Sequence, residues 1–512
     1  MAVGSADRSH KTWTLVVTCL GVPLVIASMI ALNTALGDIA IATKASQGQL
    51  TWMVDGYTLA VACLLMPAGA IGDRYGRRGA LLFGLAVFTI ACIGPVVFSH
   101  PVQIIACRVL AGIGGAFVMP ATLSMLTVAY PPEQRVRAIG IWAAVAGSGA
   151  VIGMLGSGVL LRYWSWQSIF WALGAAAASV FILTCTLSSS RDADAPPLDW
   201  LGAILVGSAL IASVFGLLEA PSRGWNHPLV TGFLTLGLAL AVMFGVVELK
   251  QPHPLLDVRL FTNREFSTGV ATITVLFGAT FGFFYLGVQY MQLIKGYSAL
   301  HTAIAFSPFV IPLAALSAMS FWYLPRLGLR VVVVLGLAIM TVGFLGMLGL
   351  NQHSSYSDIT WHAIVLSTGI GFCTAPTTAV IMKAVPDGKQ GVASAVNDSA
   401  REVGAALGIA VAGSVLARSY STALEPHLRG FPDVIKNPAL NSLATALHTA
   451  GTLGPHSMGL AELSSAAFIS AMHASALAMA VISGVAAVLL GVWAPRRESK
   501  SSRPGSASPH GA

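Results

Sequence analysis

Residues 13–36 read WTLVVTCLGVPLVIASMIALNTAL, a stretch of twenty-four residues without an aspartate, glutamate, lysine or arginine. A helix of about twenty apolar residues is long enough to cross the hydrocarbon core of a bilayer. Lipid offers no hydrogen-bond partner to an open strand or loop, so a crossing stretch must be helical. The stretch has no small-residue cleavage site after it, and we therefore interpret it as a retained first transmembrane helix.

Runs of the same kind recur along the chain of 512 residues. They cover residues 13–36, 50–71, 79–98, 102–127, 137–160, 168–187, 200–219, 229–249, 267–292, 301–323, 331–350, 360–382, 398–417 and 467–494. Hydrophobic residues make up 55% of the chain and charged residues only 9%, whereas a soluble domain carries about 25% charged residues. The sequence therefore predicts an all-α polytopic membrane protein with about fourteen transmembrane helices.

Basic residues are concentrated in every second loop between these runs. With the N-terminus inside, the inner loops contain Arg74, Arg77, Arg78, Arg135, Arg137, Arg191, Lys250, Arg259, Arg264, Arg326, Arg330, Lys383 and Lys389. The outer loops contain Lys44, Arg162, Arg223, Lys295, Arg418, Arg429 and Lys436. Because cytoplasmic loops carry the excess of lysine and arginine, we predict that both termini are cytoplasmic. The same distribution accounts for the net charge of +8, so we expect the lipid bilayer and no nucleic acid as a partner.

The two halves of the chain share a pattern of glycines and arginines. A basic turn at 74–78 corresponds to one at 326–330, and both have a central glycine. At one constant offset, the glycines of the first half match those of the second: Gly149, Gly153 and Gly158 with Gly404, Gly408 and Gly413. Parallel repeats of six helices are a common plan of secondary transporters. We therefore predict two six-helix bundles related by a parallel repeat, with two inserted helices between them.

This plan divides the chain into consecutive parts. We expect an N-terminal bundle in residues 1–190, a linker with two inserted helices in 191–260, and a C-terminal bundle in 261–495. The C-terminal bundle includes a long polar outer loop, 418–466. Residues 496–512 are basic and rich in serine, proline and glycine, so we expect a disordered cytoplasmic tail.

The segment between the second and third runs has the composition of a conformational latch. It reads GAIGDRYGRRG, and its candidate latch residues are Gly69, Gly72, Asp73, Arg74, Gly76, Arg77 and Arg78. Glycines permit a tight turn, an aspartate can cap a neighbouring helix, and arginines can bind helix ends and acids across an interface. The alternative is that the arginines only fix topology, but topology has no need of the glycine and aspartate spacing.

This segment closely resembles the cytoplasmic loop signature of the major facilitator superfamily. Further motifs resemble the group of drug:proton antiporters with fourteen spanning helices: WMVDGYTL at 52–59, RVLAGIGG at 108–115, LFTNR at 260–264, GYSAL at 296–300 and GVASA at 391–395. The resemblance extends over residues 13 to 420. It implies export of lipophilic compounds, including antibiotics, in exchange for protons, by alternating access.

The chain departs from that group at two positions. The acid usual near the middle of the first helix is replaced by Leu32, which is followed by Asn33, a polar candidate for the substrate or proton site. The glycine motif of the fifth helix has Met154 where the group has proline. Without the first acid, we expect neutral or singly charged lipophilic substrates, and we expect Leu32→Asp to improve the export of divalent cations.

Few charged residues lie inside the apolar runs. A charge at the bilayer centre costs about 2.5 to 3.5 kcal/mol on insertion scales, so such residues are candidates for function. Asp55 and Arg108 are candidates for proton coupling or for binding a cationic substrate, and a static structural pair is the alternative. Asp38 is a further candidate for proton coupling or substrate binding, although its position on the first helix lies near the outer surface. Arg401 is a candidate inner gate, and Asp398 is a candidate helix cap.

The sequence lacks the signatures of an enzyme. It has no Walker loop, HExxH or paired CxxC motif, so we expect no cofactor, no metal and no catalysis. The aromatic residues of the ninth and tenth runs either pack or line an apolar pocket. The sequence predicts a monomeric secondary exporter of lipophilic compounds. The alternatives are a dedicated exporter of one endogenous metabolite or lipid, and a non-transporting ligand sensor on the same scaffold.

Overall fold

The computed structural model describes residues 2–45, 47–188, 198–429, 431–453 and 458–495, and these residues form helices and turns without a β-strand. The first eight helices are α1 (Ala2–Thr43), α2 (Gln47–Tyr75), α3 (Arg77–Val97), α4 (Pro101–Ala129), α5 (Pro132–Tyr163), α6 (Gln167–Thr184), α7 (Trp200–Arg223) and α8 (Pro228–Lys250). The others are α9 (Arg264–Gln289), α10 (Ala299–Phe306), α11 (Val310–Ala318), α12 (Ser320–Gly346), α13 (Tyr356–Lys383), α14 (Gln390–Leu424), α15 (Asp433–Asn441), α16 (Leu443–Leu453) and α17 (Met458–Trp493). Short 3-10 turns cover Val258–Thr262, Ser307–Phe309, Met347–Gly349, Asp387–Lys389 and Glu425–Leu428, and a π turn covers Tyr290–Ile294.

The predicted number of transmembrane helices is confirmed. The described part of the chain contains fourteen helical spans that are long and apolar enough to cross a membrane. α10 and α11 form one of these spans, Leu300–Ala318, and are separated only by the 3-10 turn around Pro308. α15 and α16 are too short to cross a membrane, and each of the remaining helices forms one span of its own.

Several of the predicted runs have different bounds in the structure. The helix of the tenth run, predicted to end at 323, is interrupted at Met319, and α12, which follows, is itself broken at Gly328, where φ is 75°. The thirteenth run, predicted at 398–417, belongs to α14, which begins at Gln390 and ends at Leu424. The first two turns of α14 are polar but almost entirely buried, so hydropathy alone placed the start of the helix too late.

The internal repeat is visible in the helix contacts. α1 packs against α5 as α9 packs against α14, and α3 packs against α4 and α6 as α12 packs against α13 and α17. The two basic turns also match, because Gly76 and Gly328 both adopt a positive φ, 115° and 75°. Only glycine takes this conformation without strain, which explains why both turns have it. The fold of two six-helix bundles with two inserted helices is therefore confirmed, whereas the side on which the termini lie stays a prediction.

The repeated glycines allow close helix packing in each bundle. A methyl group on Gly153 would lie 2.7 Å from Cα of Ala27 in α1, and one on Gly404 would lie 3.0 Å from Cα of Thr274 in α9. The third glycines differ, since Gly158 faces Leu300 of the second bundle and Gly413 faces an inserted helix. The first two glycines of each set thus pack against a helix of their own bundle, whereas the third contacts either the other bundle or an inserted helix.

The inserted helices lie across the junction of the two bundles. α7 packs against both α2 and α14, and α8 packs on the outer side of α7. Trp52 of α2 stacks on Phe215 of α7 with a ring separation of 6.2 Å. Trp225, after α7, donates a hydrogen bond of 2.9 Å to Ser414 of α14. The inserted pair is therefore attached to both bundles.

The segment predicted as a loop at 418–466 is largely helical where it is described. α14 continues to Leu424, and α15 and α16 follow before α17 begins at Met458. Tyr420 donates a hydrogen bond of 3.0 Å to the carbonyl of Ala439, which ties α15 to the end of α14. Most of the predicted linker at 191–199 and the predicted tail 496–512 lie outside the described residues.

Candidate functional site: charges at the bundle interface

Asp73, at the end of α2, contacts the second bundle directly. Its carboxylate accepts hydrogen bonds from the backbone N–H of Gly391 at 2.8 and 2.9 Å and of Val392 at 3.2 Å. These groups are the unsatisfied donors of the α14 N-terminus, whose partial positive charge favours an anion. Asp73 is only 5% exposed, so this cap is buried.

Arginines extend this contact. Arg77, which is 2% exposed, donates to Asp73 at 2.8 Å and to the carbonyl of Asp387 at 2.8 Å. Arg135 of α5 binds the Asp387 carboxylate with both terminal nitrogens, at 2.8 and 2.9 Å. A bidentate arginine–carboxylate pair is geometrically specific. We call these four residues, Asp73, Arg77, Arg135 and Asp387, the latch network.

The remaining candidate latch residues have different surroundings. Gly69 lies against the backbone of Gly391 so closely that no Cβ would fit, whereas a Cβ on Gly72 would make ordinary contact with Ala80 at 3.4 Å. Arg78 donates to the carbonyl of Cys185 and so binds within the first bundle. Arg74 lies over the ring of Tyr75, at 5.5 Å from its centroid.

Arg108 of α4 is a fully buried cation inside the first bundle, only 2% exposed. It donates to the carbonyl of Met53 at 3.0 Å and to the hydroxyl and carbonyl of Ser28 at 2.9 and 3.2 Å. Its guanidinium lies 4.3 Å from the ring centroid of Tyr57, whose hydroxyl donates to the carbonyl of Val25 at 2.8 Å. No described acid forms an ion pair with Arg108, so its partners are neutral.

Asp55 therefore does not form the static pair with Arg108 that the sequence left open. Asp55 is half-buried, and no described residue forms a hydrogen bond or an ion pair with it. The charged group that interacts with it electrostatically is Glu219 of the inserted helix α7. Asp55 thus lies on the side of α2 that faces the inserted pair.

The candidates of the first helix lie in three different environments. Leu32 is 1% exposed and packs in an apolar cluster with Met53 and Phe170. Asp38 is exposed, as the sequence predicted. Asn33 lies in α1, but its side chain lies outside the described part of the structure.

The second bundle has its own buried charges, all on α14. Asp398 is 0% exposed and Arg401 is 3% exposed, and the nearest oxygen and nitrogen of the two are 3.8 Å apart. Asn397 donates to Asp398 at 3.1 Å, and Arg401 donates to Thr378 of α13 at 3.3 Å. Glu402 lies beside them and interacts electrostatically with both. We call Asp398, Arg401 and Glu402 the α14 triad.

The α14 triad lies where the two bundles meet. The Arg401 guanidinium is sandwiched between the rings of Trp142 of α5 and Phe277 of α9, at 5.2 and 5.0 Å. Glu402 interacts electrostatically with Tyr57 of the first bundle. Arg401 is eleven residues, about 16 Å, from the start of α14, which is deeper than the position near the helix end that the sequence suggested.

Both acids of the triad have unused hydrogen-bonding capacity. Asp398 Oδ2, Glu402 Oε2 and Arg401 Nε are buried, and none has a hydrogen-bond partner in the described residues. Two carboxyl groups beside one arginine leave a negative charge that a proton or a cation can neutralise. The predicted cap role of Asp398 is wrong, because α14 begins eight residues earlier and Asp73 supplies the cap.

Sequence reasoning assigned no role to Glu402. A signal for it existed, since Asp398, Arg401 and Glu402 follow the i, i+3, i+4 spacing that places side chains on one helix face.

The aromatic cluster of α9 and α10 lies mostly in the hydrophobic core. Phe283, Phe284, Phe306 and Phe309 pack on one another with ring centroids 5.0 to 5.9 Å apart. Phe277, also of α9, contacts Arg401 of the triad.

Comparisons with known proteins agree with this geometry. The family model described as Major Facilitator Superfamily matches residues 18–409. The chain is 32% identical over 430 residues to the multidrug resistance protein Stp of Mycobacterium tuberculosis, covering 83% of this chain and 80% of that protein. It is 31% identical over 502 residues to the methyl viologen resistance protein SmvA of Salmonella typhimurium, covering 94% of this chain and 98% of that protein.

The fold is also similar to that of a solved transporter structure. The human organic anion transporter MFSD10 (TETRAN) superposes with a TM-score of 0.62 at 15% identity, covering 94% of this chain and 99% of that chain. At this level of identity the similarity concerns the fold only.

Proposed function

Since the chain belongs to the major facilitator superfamily, whose members are transporters and not enzymes, we propose that it exports lipophilic drugs or antibiotics in exchange for protons. The fourteen spans make it a multi-pass protein of the bacterial inner membrane. The names of similar proteins, which refer to multidrug resistance and methyl viologen resistance, support a role in drug efflux. Its transported ligand is a small molecule.

The observation that carries the proposal is the α14 triad at the bundle interface. Buried charges are expensive in a membrane protein and mark ion or substrate pathways. Here two acids share one arginine, and an oxygen of each acid has no described partner. In our proposal one of them, Glu402, binds the proton in one conformation and releases it in the other.

Besides a proton-binding group, antiport requires a contact between the bundles that forms in only one conformation. In our proposal the latch network is that contact. Asp73 and Arg77 on the first bundle hold the backbone around residues 387–392 of the second bundle. In our proposal, this end of the transporter opens when these hydrogen bonds break. The substrate site between the bundles then faces the other side of the membrane.

The energy of such an exchange is sufficient for the efflux of a neutral compound. One proton moving down a membrane potential of 100 mV releases about 2.3 kcal/mol. Each tenfold concentration gradient of a neutral solute requires about 1.4 kcal/mol, so one proton sustains roughly a fortyfold gradient.

The triad also bears on substrate charge. Asp398 and Glu402 supply two carboxyl groups at the interface, with the charge of Arg401 beside them, although Leu32 supplies none in α1. A dication such as methyl viologen needs acids nearby to offset its desolvation. We therefore propose that lipophilic dications are substrates together with singly charged ones, which reverses the expectation drawn from Leu32 alone.

Drug-driven proton movement in liposomes tests the proposal. The purified full chain is reconstituted with a pH-sensitive dye inside the vesicles, and ethidium or methyl viologen is added under a pH gradient. We expect either compound to accelerate proton flux in the wild type. Glu402→Gln abolishes the acceleration, and the matched control Glu425→Gln, in an exposed 3-10 turn, preserves it.

The other outcomes separate the alternatives. A proton flux that no compound in a panel of lipophilic drugs accelerates would favour an exporter dedicated to one endogenous metabolite. Drug binding without drug movement would favour a ligand sensor on the same scaffold. Drug movement that ignores the pH gradient would show that transport is not proton antiport.

A further inference from the structure

The base of the inserted helix pair contains two acids that the transport mechanism does not use. Asp199 precedes α7, and one of its oxygens accepts a hydrogen bond of 2.9 Å from the N–H of Gly202, so it caps that helix. Glu248 lies in the last turn of α8 and is only 2% exposed. The base of the pair, where α7 begins and α8 ends, is predicted to lie at the cytoplasmic face.

Glu248 holds the chain segment that leads from the inserted pair into the second bundle. Its Oε2 accepts a hydrogen bond of 3.2 Å from the N–H of Leu256. Leu255 and Leu256 are 5% and 3% exposed and belong to the main hydrophobic core. Glu248 therefore attaches the inserted pair to the start of the second bundle.

The other oxygen of each acid has no described hydrogen-bond donor. Asp199 Oδ2 and Glu248 Oε1 are both buried, and both lie against Gly202. A Cβ at Gly202 would be 2.9 Å from Asp199 Oδ2 and closer still to Glu248 Oε1. Two buried acceptors that face each other lack only a proton or a cation between them.

No described basic group takes that place. The charged or titratable groups closest to Glu248 in sequence are Lys250 at the end of α8 and His253, Asp257 and Arg259 in the following segment, and Asp199 adjoins it from the start of α7. Of these, only Asp199 interacts electrostatically with Glu248. Asp257 instead accepts a hydrogen bond of 3.0 Å from the N–H of Arg259.

We propose that Asp199 and Glu248 share one proton, and that this carboxylic acid–carboxylate pair is a proton-binding site which fastens the inserted helices at their base. Two carboxylates so close together cannot both remain charged at low cost. With the proton bound, each orphan oxygen gains a partner. Without it, two negative charges repel the start of α7 from the end of α8.

Because the site lies at the base of α7, it can affect how the inserted pair is attached to both bundles. α7 touches both α2 and α14, so a change at its base alters the attachment of the pair to both bundles. A proton bound here stays outside the bundle interface and is not exported. The site would therefore sense the pH on its side of the membrane and leave proton stoichiometry unchanged.

Thermal unfolding of the purified full chain across pH 6 to 9 tests the proposal. We expect the melting temperature of the wild type to fall by about 1–2 °C towards high pH, because the shared proton is lost. Glu248→Gln should remove most of this fall, since its amide donates to Asp199 without a titrating proton. The matched control Glu133→Gln, exposed in the first turn of α5, should keep the wild-type slope.

Infrared spectroscopy provides a second readout, the protonated-carboxyl band itself. This band of the wild type at neutral pH should lose the same component in Glu248→Gln and in Asp199→Asn and stay unchanged in Glu133→Gln. Equal pH slopes together with an unchanged band would overturn the proposal. If sodium, potassium or magnesium ions restore the wild-type melting temperature at pH 9 but not that of Glu248→Gln, the site binds a cation, and the shared proton is likewise rejected.

Discussion

At the scale of single residues, the buried charged groups of this transporter differ in the partners that they contact. Asp73 has backbone donors and Arg77, and Arg108 has carbonyls, a hydroxyl and a ring. Asp398 and Glu402 each keep an unpartnered oxygen. A charged group whose polar atoms all have hydrogen-bond partners stabilises one conformation, whereas a group with an unpartnered oxygen can still bind a proton or a cation.

The latch is tested by Asp73→Asn. The amide keeps the shape but loses the charge that faces Arg77 and the α14 N-terminus, and a charge-assisted hydrogen bond contributes about 1.5–3 kcal/mol. Since about 1.4 kcal/mol changes a population tenfold, we expect transport to fall at least about tenfold while the protein stays in the membrane. Efflux and membrane abundance are measured side by side, with Asp433→Asn, exposed in the first turn of α15, as control. Normal efflux at normal abundance would contradict the latch.

The proton carrier is tested by a pair of substitutions. The sequence nominated Asp55, and the structure favours Glu402, so Asp55→Asn and Glu402→Gln are compared in the same efflux assay. We expect Glu402→Gln to uncouple drug efflux from the pH gradient, because the remaining amide cannot carry a proton. If only Asp55→Asn uncouples efflux while neutral compounds still bind, the first prediction was right and the triad is structural.

Leu32 raises a different question, because Ser28 lies one helical turn away on the same face and binds Arg108. A carboxylate introduced as Leu32→Asp therefore falls near a buried cation that has no described acid. We expect the new acid to pair with Arg108, so dication export should not improve and abundance should stay near normal. In an Arg108→Met background the same substitution leaves an unpaired buried charge, and membrane abundance should collapse. Improved dication efflux by Leu32→Asp would restore the earlier expectation.

At the scale of helices, glycines determine how closely α1 meets α5 and α9 meets α14. Gly153→Ala would place a methyl group 2.7 Å from Cα of Ala27, where backbone cannot yield. Overpacking of this kind costs about 1–3 kcal/mol, so the melting temperature should fall. Gly156→Ala on the same helix is the control, since nothing lies within 4 Å of its Cβ and alanine favours helix. Equal effects of the two substitutions would contradict the packing argument.

At the scale of the whole molecule, the latch network joins two bundles, and the triad lies between them. This arrangement predicts a charge preference that can be measured with matched dyes. Asp398→Asn, which leaves the proposed proton carrier Glu402 in place, should reduce export of a divalent dye about tenfold or more and that of a monovalent dye less, because a dication needs both carboxylates. Efflux from cells that express each version measures the ratio. Equal losses for both dyes would place the countercharge elsewhere.

The family and the number of transmembrane spans could be predicted from sequence because their signals are local. Apolar runs of a bilayer's length and a basic turn at 74–78 need no partner to be recognised. The glycine correspondence between the halves predicted the repeat because each bundle needs the same close contacts. Fourteen spans, the repeat and the inserted pair followed from these signals alone.

What only the tertiary structure decided is which charge meets which partner. Asp73 caps a helix that begins 317 residues later, and Glu402 interacts with Tyr57 of the other bundle. Hydropathy placed the start of α14 too late because its polar first turns are buried against α2 rather than exposed. The partners of Arg108 lie on α1 and α2, and Glu248 of α8 meets Asp199 at the start of α7. Pairing of this kind depends on how helices are brought together, and no local pattern of residues encodes it.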